Sequence, residues 1–488
     1  MKKRRVLAAM GTATAVLAGL LGFVRAPATQ IPPLDWQPGG AATVGLAPYP
    51  SSMRPAPSLP KSALPDFHAG KALANQPWVK APTITAARDG LGPLYNVRSC
   101  LACHANGGKG RLPRDGDVLS SAVLKLSRPG VDRRHGVVPH PVYGDQLQVQ
   151  SVSLADQLGL DPADLGAGAE LEAPAEAKVR IRWRSEVFAY PDGSEVTLRV
   201  PEPVIENLAY GPLGEDALLS LRLAPVIHGA GLLGLIPEAA IDALADPEDR
   251  NGDGISGRKN TVWSRDAQRT VSGRFGWKAG QPDLRHTVAA AFANDLGIST
   301  PLFPAGPCTS AQTRCLAMAS GADEPSGVEL PGHLLDLVTD FTTNLGVPAA
   351  RPLGAEQHAA GAALFDASGC AACHQPQFKT AASPTSPHLG GETIWPYSDL
   401  LLHDMGEGLA DGRAEFGASG REWRTAPLWG AGIAQRVNGA QHFLHDGRAA
   451  SIEEAVLWHG GEAEIARDRF VRLPRVQRAL LLSFVASL

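Results

Sequence analysis

Two five-residue stretches carry the strongest chemical signal in the 488-residue chain: Cys100-Leu101-Ala102-Cys103-His104 and Cys370-Ala371-Ala372-Cys373-His374. Two cysteines so spaced lie on one turn of helix, where each thiol can add to one vinyl group of a haem. The histidine that follows rides on the same turn and can reach the iron as its proximal ligand. C-x-x-C alone would also suit half of a zinc site or a redox-active dithiol. The adjacent His, present in both copies, points away from those readings. The sequence therefore predicts two covalently bound haem c groups, at Cys100 and Cys103 and at Cys370 and Cys373, with His104 and His374 as the proximal ligands.

The remaining two of the six cysteines, Cys308 and Cys315, share one Pro-flanked loop. In an exported chain such a pair forms a disulfide. Asp249-x-Asn251-x-Asp253-Gly254 resembles the opening of a calcium loop, with Asn260 at the twelfth position where a Glu is usual. One calcium ion is one reading of it. A polar turn held by its own Asp and Asn side chains is the other.

The elements that must position these groups are short. With 40 Pro, 53 Gly and only 6% aromatic residues, the chain favours short helices, turns and long loops over a large sheet core. Ala359 to Ser368 reads as a helix that ends at Gly369 and leads into the second motif. Arg475 to Leu488 reads as another, its Val476, Leu480, Leu481, Phe484 and Val485 at helical spacing. About 170 residues separate His104 from Gly273-Arg274-Phe275-Gly276-Trp277. Within that gap, Val179 to Tyr190 and Ser194 to Val200 read as strands joined by a Pro191-Asp192-Gly193 turn. Leu218 to Leu235 reads as apolar and helical. The expected fold is mainly α: two cytochrome c-like haem domains with a small β-hairpin-containing insertion and long loops. The expected boundaries are 65–345 for the N-terminal haem c domain, with its insertion at about 130–235, and 346–488 for the C-terminal haem c domain.

Residues 1–28 read as a signal peptide or N-terminal anchor, and 29–64 as a Pro-rich linker. Lys2-Lys3-Arg4-Arg5 precedes an apolar run from Val6 to Val24, and small residues near Ala26 and Ala28 suit cleavage. The run is also about as long as a membrane helix, so an inner-membrane anchor is the alternative to a cleaved, periplasmic product. Removing the five basic residues of this segment takes the formal charge from −4 to about −9. An acidic protein is a poor match for nucleic acid and a good one for a basic redox partner. Contact with a membrane is expected only through an uncleaved N-terminal segment.

Four further stretches add to the two motifs: NGDGISGRKNTVW (251–263), GRFGWKAGQPDLRHTVAAAFANDLGIS (273–299), YSDLLLHDMGEGLADG (397–412) and FLHDGRAASIEEAVLWHGGEA (443–463). With them, roughly residues 65 to 488 resemble the di-haem oxidoreductase family of peroxidases, also labelled thiol oxidoreductases. That family is similar to the bacterial di-haem cytochrome c peroxidases and to the maturation enzyme of methylamine dehydrogenase. The resemblance implies an N-terminal haem that binds the oxidant and a C-terminal haem that takes electrons from a small donor protein, a cytochrome c or a copper protein. Trp277 matches the tryptophan between the haems. Asp295 falls where the peroxidases place a distal Glu, and His286 where they have a distal Gln. His459 falls where the peroxidases have a Met as sixth ligand of the second haem, and the maturation enzyme a Tyr. Met405 competes for that position. Asn260 aligns with a calcium-ligating Asn.

The function so implied is reduction of hydrogen peroxide, or of another oxidant, with Asp295 as proton shuttle, His286 as helper and Trp277 as relay. Two alternatives use the same parts: a di-haem oxidase that modifies another protein or a thiol, and an electron-transfer cytochrome without enzymatic activity.

Overall fold

The computed structural model describes residues 32–33, 36–84, 88–158, 172–322 and 326–488. The expected signal peptide or anchor, residues 1–28, and the first residues of the expected Pro-rich linker fall outside them. Two helix pairs organise the described chain. Leu64–Asn75 packs on Gly332–Thr343, and Ala355–Ala367 packs on Arg475–Val485. Each pair brackets one cysteine motif in the sequence. Glycine sits at both crossings: a Cβ on Gly70 would overlap the Leu337 carbonyl, and one on Gly361 would overlap the Phe484 side chain. Only a residue without Cβ lets the backbones approach so closely. The first pair shares a core of Phe67, Trp78, Phe292 and Phe341 with Cys103. The second shares Phe365, Tyr397, Phe470 and Phe484, with Cys370 packed against them.

The expectation of a mainly α chain built from two cytochrome c-like domains is overturned. Helix accounts for 30% and strand for 18%, in 13 helices and several small sheets among the described residues. The sheets are two-stranded ladders. Their origin is physical. Long Pro- and Gly-rich loops carry backbone N–H and C=O groups that must pair once buried. They pair across large gaps in sequence, as Thr43–Val44 does with Val347–Pro348 and Ala122–Ser127 with Leu218–Leu223. The second ladder also corrects the helical reading of Leu218 to Leu235. Its first third is strand, and only Ala230–Gly234 is helical. A continuous apolar run suits a buried strand as well as a buried helix, and here the partner at Ala122–Ser127 decides.

The hairpin forms where its sequence predicts. Lys178–Ala189 pairs antiparallel with Glu195–Glu206, and Gly193 at φ 80° closes the turn. It does more than decorate. At its base, Val179 and Ile181 pack with Leu124, Leu126, Leu221 and Leu223. At its tip, Tyr190 and Leu198 join the core of the second helix pair. The Tyr190 hydroxyl donates to Glu453 (2.8 Å), and Arg478 from the last helix lies 3.8 Å from the Tyr190 ring centroid while donating to Asp192 (2.6 Å). The hairpin is a strut between the two halves of the chain.

Cys308 and Cys315 are joined as a disulfide. Among the described residues no helix is long and apolar enough to cross a membrane.

Tyr190→Ala removes a buried ring and leaves Glu453 and Arg478 without its contacts. The variant should lose about 3–5 kcal/mol of stability in denaturant unfolding. Limited proteolysis should show earlier cleavage within 178–206.

Candidate functional site

Both motifs form the same turn. The main-chain N–H of His104 donates to Cys100 O (2.9 Å), and that of His374 to Cys370 O (2.9 Å). Gly369, at φ 88°, ends helix Ala355–Ala367 and swings the chain into the second motif. A carbonyl orients each ring: His104 Nδ1–H donates to Pro225 O (2.7 Å) and His374 Nδ1–H to Tyr397 O (2.8 Å). Nε2 is thereby left as the free lone pair, the arrangement of a metal-binding imidazole. Burial lowers the pKa of both, His374 to about 4, so the rings are neutral as a ligand must be. Burial pushes the Cys100 and Cys370 thiols up to about 12, with Asp295 adding to the effect at Cys100. Cys103 and Cys373 are raised in the same way.

Around the second motif, Cys370, Cys373, His374 and His459 line one cavity walled by Phe365, Val456 and Leu481. His459 Nδ1–H donates to Ala455 O (2.7 Å), one turn back on its own helix, which again frees Nε2. His459 is near enough to add to the lowering of the His374 pKa. Two thiols, two neutral imidazoles and apolar walls are a donor set and lining that fit a haem. Met405 reaches the same cavity but packs on the cluster of Trp277, Leu409 and Trp423.

One stretch of backbone joins this cavity to the first motif. Leu223 N–H donates to His445 O (2.7 Å), and Leu223 O accepts from Trp277 Nε1–H (2.7 Å). Two residues on, Pro225 O takes the His104 ring, and Val226 and His228 line the second cavity together with Trp277. Trp277 thus stands between the motifs, its indole proton committed to a peptide carbonyl.

At the first motif, helix Leu284–Asp295 presents Asp295. Its N-terminus is capped by the Asp283 side chain, which accepts from His286 N (2.8 Å). At its other end, Asp295 O accepts from Asn96 N and Val97 N, pinning the loop that leads to Cys100. The Asp295 side chain is half-buried, and desolvation raises its pKa against the pull of Lys125, Gln146 and His104. Gln146 Nε2–H donates both to Asp295 Oδ1 (2.8 Å) and to Asn294 O (2.8 Å), and its own Oε1 is buried without a partner. His286 does not share this site. Nine residues separate it from Asp295, about 13 Å along the helix and half a turn around it. Its ring packs on Phe303, Nδ1 faces Gln281 Oε1 (2.5 Å), and Nε2 is buried without a partner.

The candidate calcium ligands do not converge. Asn260 is fully buried: Oδ1 accepts from Thr261 N and Gly417 N, and Nδ2 donates to Lys278 O and Glu415 O. Its oxygen has no capacity to spare. The Asp249 and Asp253 carboxylates cap their own loop, accepting from Gly254 N and Ile255 N. A self-stabilised polar turn accounts for these residues.

Several site residues had no signal in the sequence. Gln146 belongs to a loop in the interrupting region. Trp423 is stacked on His445 (centroids 3.5 Å apart), with Lys278 4.3 Å and Arg222 4.7 Å from its ring. Asp411 holds both cations, at 3.0 and 3.1 Å. His403 touches Cys373 and lies between Asp399 (2.8 Å) and Glu462 (2.8 Å).

A family model described as "Di-haem oxidoreductase, putative peroxidase" matches residues 37–488. No curated protein and no solved structure matches the chain.

The buried imidazoles set a pH response. Burial holds His228 and His286 at about 4 and His445 at about 3, against about 6.5 when unfolded. As pH falls the unfolded chain takes up protons first, so stability drops between about pH 6.5 and 4. His403 acts oppositely: burial disfavours its charge, but Asp399 overcomes this and raises it, which favours the folded state at low pH. With the lowered imidazoles outnumbering the single raised one, the melting temperature should fall from pH 7 to pH 5, and His286→Gln should flatten that slope in calorimetry.

Proposed function

The chain belongs to the di-haem oxidoreductase family, and on that premise we propose that it is an exported, periplasmic peroxidase that reduces hydrogen peroxide beside Cys100 and Cys103. One observation carries this reading: a half-buried carboxyl, Asp295, stands next to the first motif with Gln146 fixing one of its oxygens. A carboxyl whose pKa is raised by desolvation can both accept a proton from an oxidant and return it. Asp is shorter than Glu, and the Gln146 clamp sets where its free oxygen points. His286 lies too far along the helix to act on the same molecule, so the proton work falls to Asp295 and Gln146.

Cys100 and Cys103 would hold one haem covalently in this reading, with His104 as an iron ligand. Cys370 and Cys373 would hold the second, with His374 and His459 as its ligands. Haem, when bound, supplies the iron that takes up the oxidant and passes electrons singly. The chain's own residues do the rest. His104, His374 and His459 each have Nδ1 committed to a carbonyl, which fixes their tautomers and ring angles. Trp277 carries charge between the halves and keeps its proton, because its acceptor is a peptide oxygen rather than a base. Two electrons per turnover come from a small donor, a cytochrome c or copper protein, whose basic face suits an acidic partner. The calcium reading is not carried forward, since Asn260 and the Asp249 loop satisfy themselves.

Asp295→Ala should lower peroxide turnover by roughly 10²-fold with haem content unchanged. Unchanged turnover would remove Asp295 from the mechanism. Electron paramagnetic resonance on the ferric and half-reduced protein tests the class of function: a high-spin signal in either state is expected, and two low-spin signals in both would leave an electron carrier. His459→Ala should abolish the low-spin signal of the second haem. Met405→Ala should leave it intact, and the reverse pattern would assign Met405.

A further inference from the structure

Three Lys or Arg side chains line the cavity between the motifs: Lys109, Arg424 and Arg467. Arg467 is paired with Glu464 and Asp468. Lys109 and Arg424 have no carboxylate in salt-bridge reach among the described residues. Lys109 comes from five residues beyond His104, and Asn438 Nδ2–H fixes its carbonyl (2.7 Å). Its ammonium lies 5.8 Å from the Trp277 ring centroid and 5.0 Å from that of Phe443. Burial alone lowers its pKa to about 8. Arg424 is bound to the same tryptophan from the other side of the chain. Its main-chain N–H donates to Trp277 O (2.8 Å) and its Nε–H to Gly276 O (3.0 Å). One further N–H meets Thr425 O (3.0 Å).

Two half-buried, desolvated cations with no carboxylate at ion-pair distance, Arg424 feeling only the more distant Asp399, are unfavourable. They mark a site for anions that reach them from within the cavity. A haem carries two carboxylates on one edge, and Arg and Lys are the side chains that take carboxylate best. We propose that Lys109 and Arg424 bind the propionates of the haem held at Cys370 and Cys373, turning its carboxylate edge toward Trp277. The inference rests on the reading of the second motif as a covalent haem site. It adds a role that neither motif contains: a cation borne on the segment of the first motif anchors the second haem.

The test is spectroelectrochemistry on the full-length holo-protein. The Cys370→Ser, Cys373→Ser double variant identifies the wave of the second haem. Each cation beside a propionate favours the reduced iron, since the ferric form carries one more positive charge. Lys109→Met and Arg424→Gln should each shift the reduction equilibrium of that haem about tenfold toward ferric, about 59 mV for one electron. Lys109→Arg should restore it. Reduction equilibria within twofold of wild type in both variants would overturn the proposal. Should Lys109→Met fail to load the second haem, loading in Lys109→Arg would still support an anchor. Failure of Lys109→Arg as well, with Arg424→Gln titrating as wild type, would defeat it. Haem content separates the two levels: a wild-type chain lacking haem at Cys370 and Cys373 defeats the motif reading, whereas full loading with unshifted potentials defeats only the anchor.

Discussion

The arrangement depends on six residues of backbone, Leu223 to His228. Their carbonyls receive the His104 ring and the Trp277 indole, their first N–H meets His445, and their side chains wall the second cavity. These are short bonds between fixed peptide groups, so neither ring can tilt without moving the strand Leu218–Leu223 that leads into the segment. That strand is in turn paired along its full length with Ala122–Ser127. The orientation of the His104 ring is therefore set by a sheet, not by the helix turn that carries it.

A second constraint is electrostatic. The region around Trp423 buries Arg222, Lys278 and Arg413 beside Asp411 and Glu415, with side chains almost out of contact with water. Burial would push the two acids up, yet Arg222 and its neighbours hold them below their usual range. Such a network is stable only when complete, because loss of one partner leaves a buried charge. Lys109 and Arg424 stand just outside it without acids of their own, and that contrast is what sets them apart.

The sequence made the two cysteine-histidine motifs and the di-haem family legible and left most of the support invisible. The two C-x-x-C-H turns, the hairpin with its Pro191-Asp192-Gly193 turn, the helix before Gly369 and the closing helix from Arg475 all have local signatures, and all are present. The resemblance set His286 beside Asp295 in one task, although nine residues on one helix point opposite ways. What failed was the class of fold. Ladders such as Ala122–Ser127 with Leu218–Leu223 join segments some ninety residues apart, and no window of local pattern records that pairing. Gln146, Lys109 and Arg424 escaped for a related reason: single polar residues in irregular segments acquire meaning only from what the fold sets beside them.

The strut between the halves also imposes an order in time. The tip of the hairpin meets the final helix across 286 residues of sequence, from Asp192 to Arg478. At roughly 5–20 residues per second of synthesis, Phe188, Tyr190, Val196 and Leu198 wait about 15 to 60 s for their partners. During that interval the chain carries a long, apolar-tipped ribbon with nothing to dock on, the kind of exposed edge that invites pairing with a neighbour. Newborn chains of this protein are therefore most vulnerable in the window between completing the hairpin and completing the last helix, and a holding chaperone would matter most there.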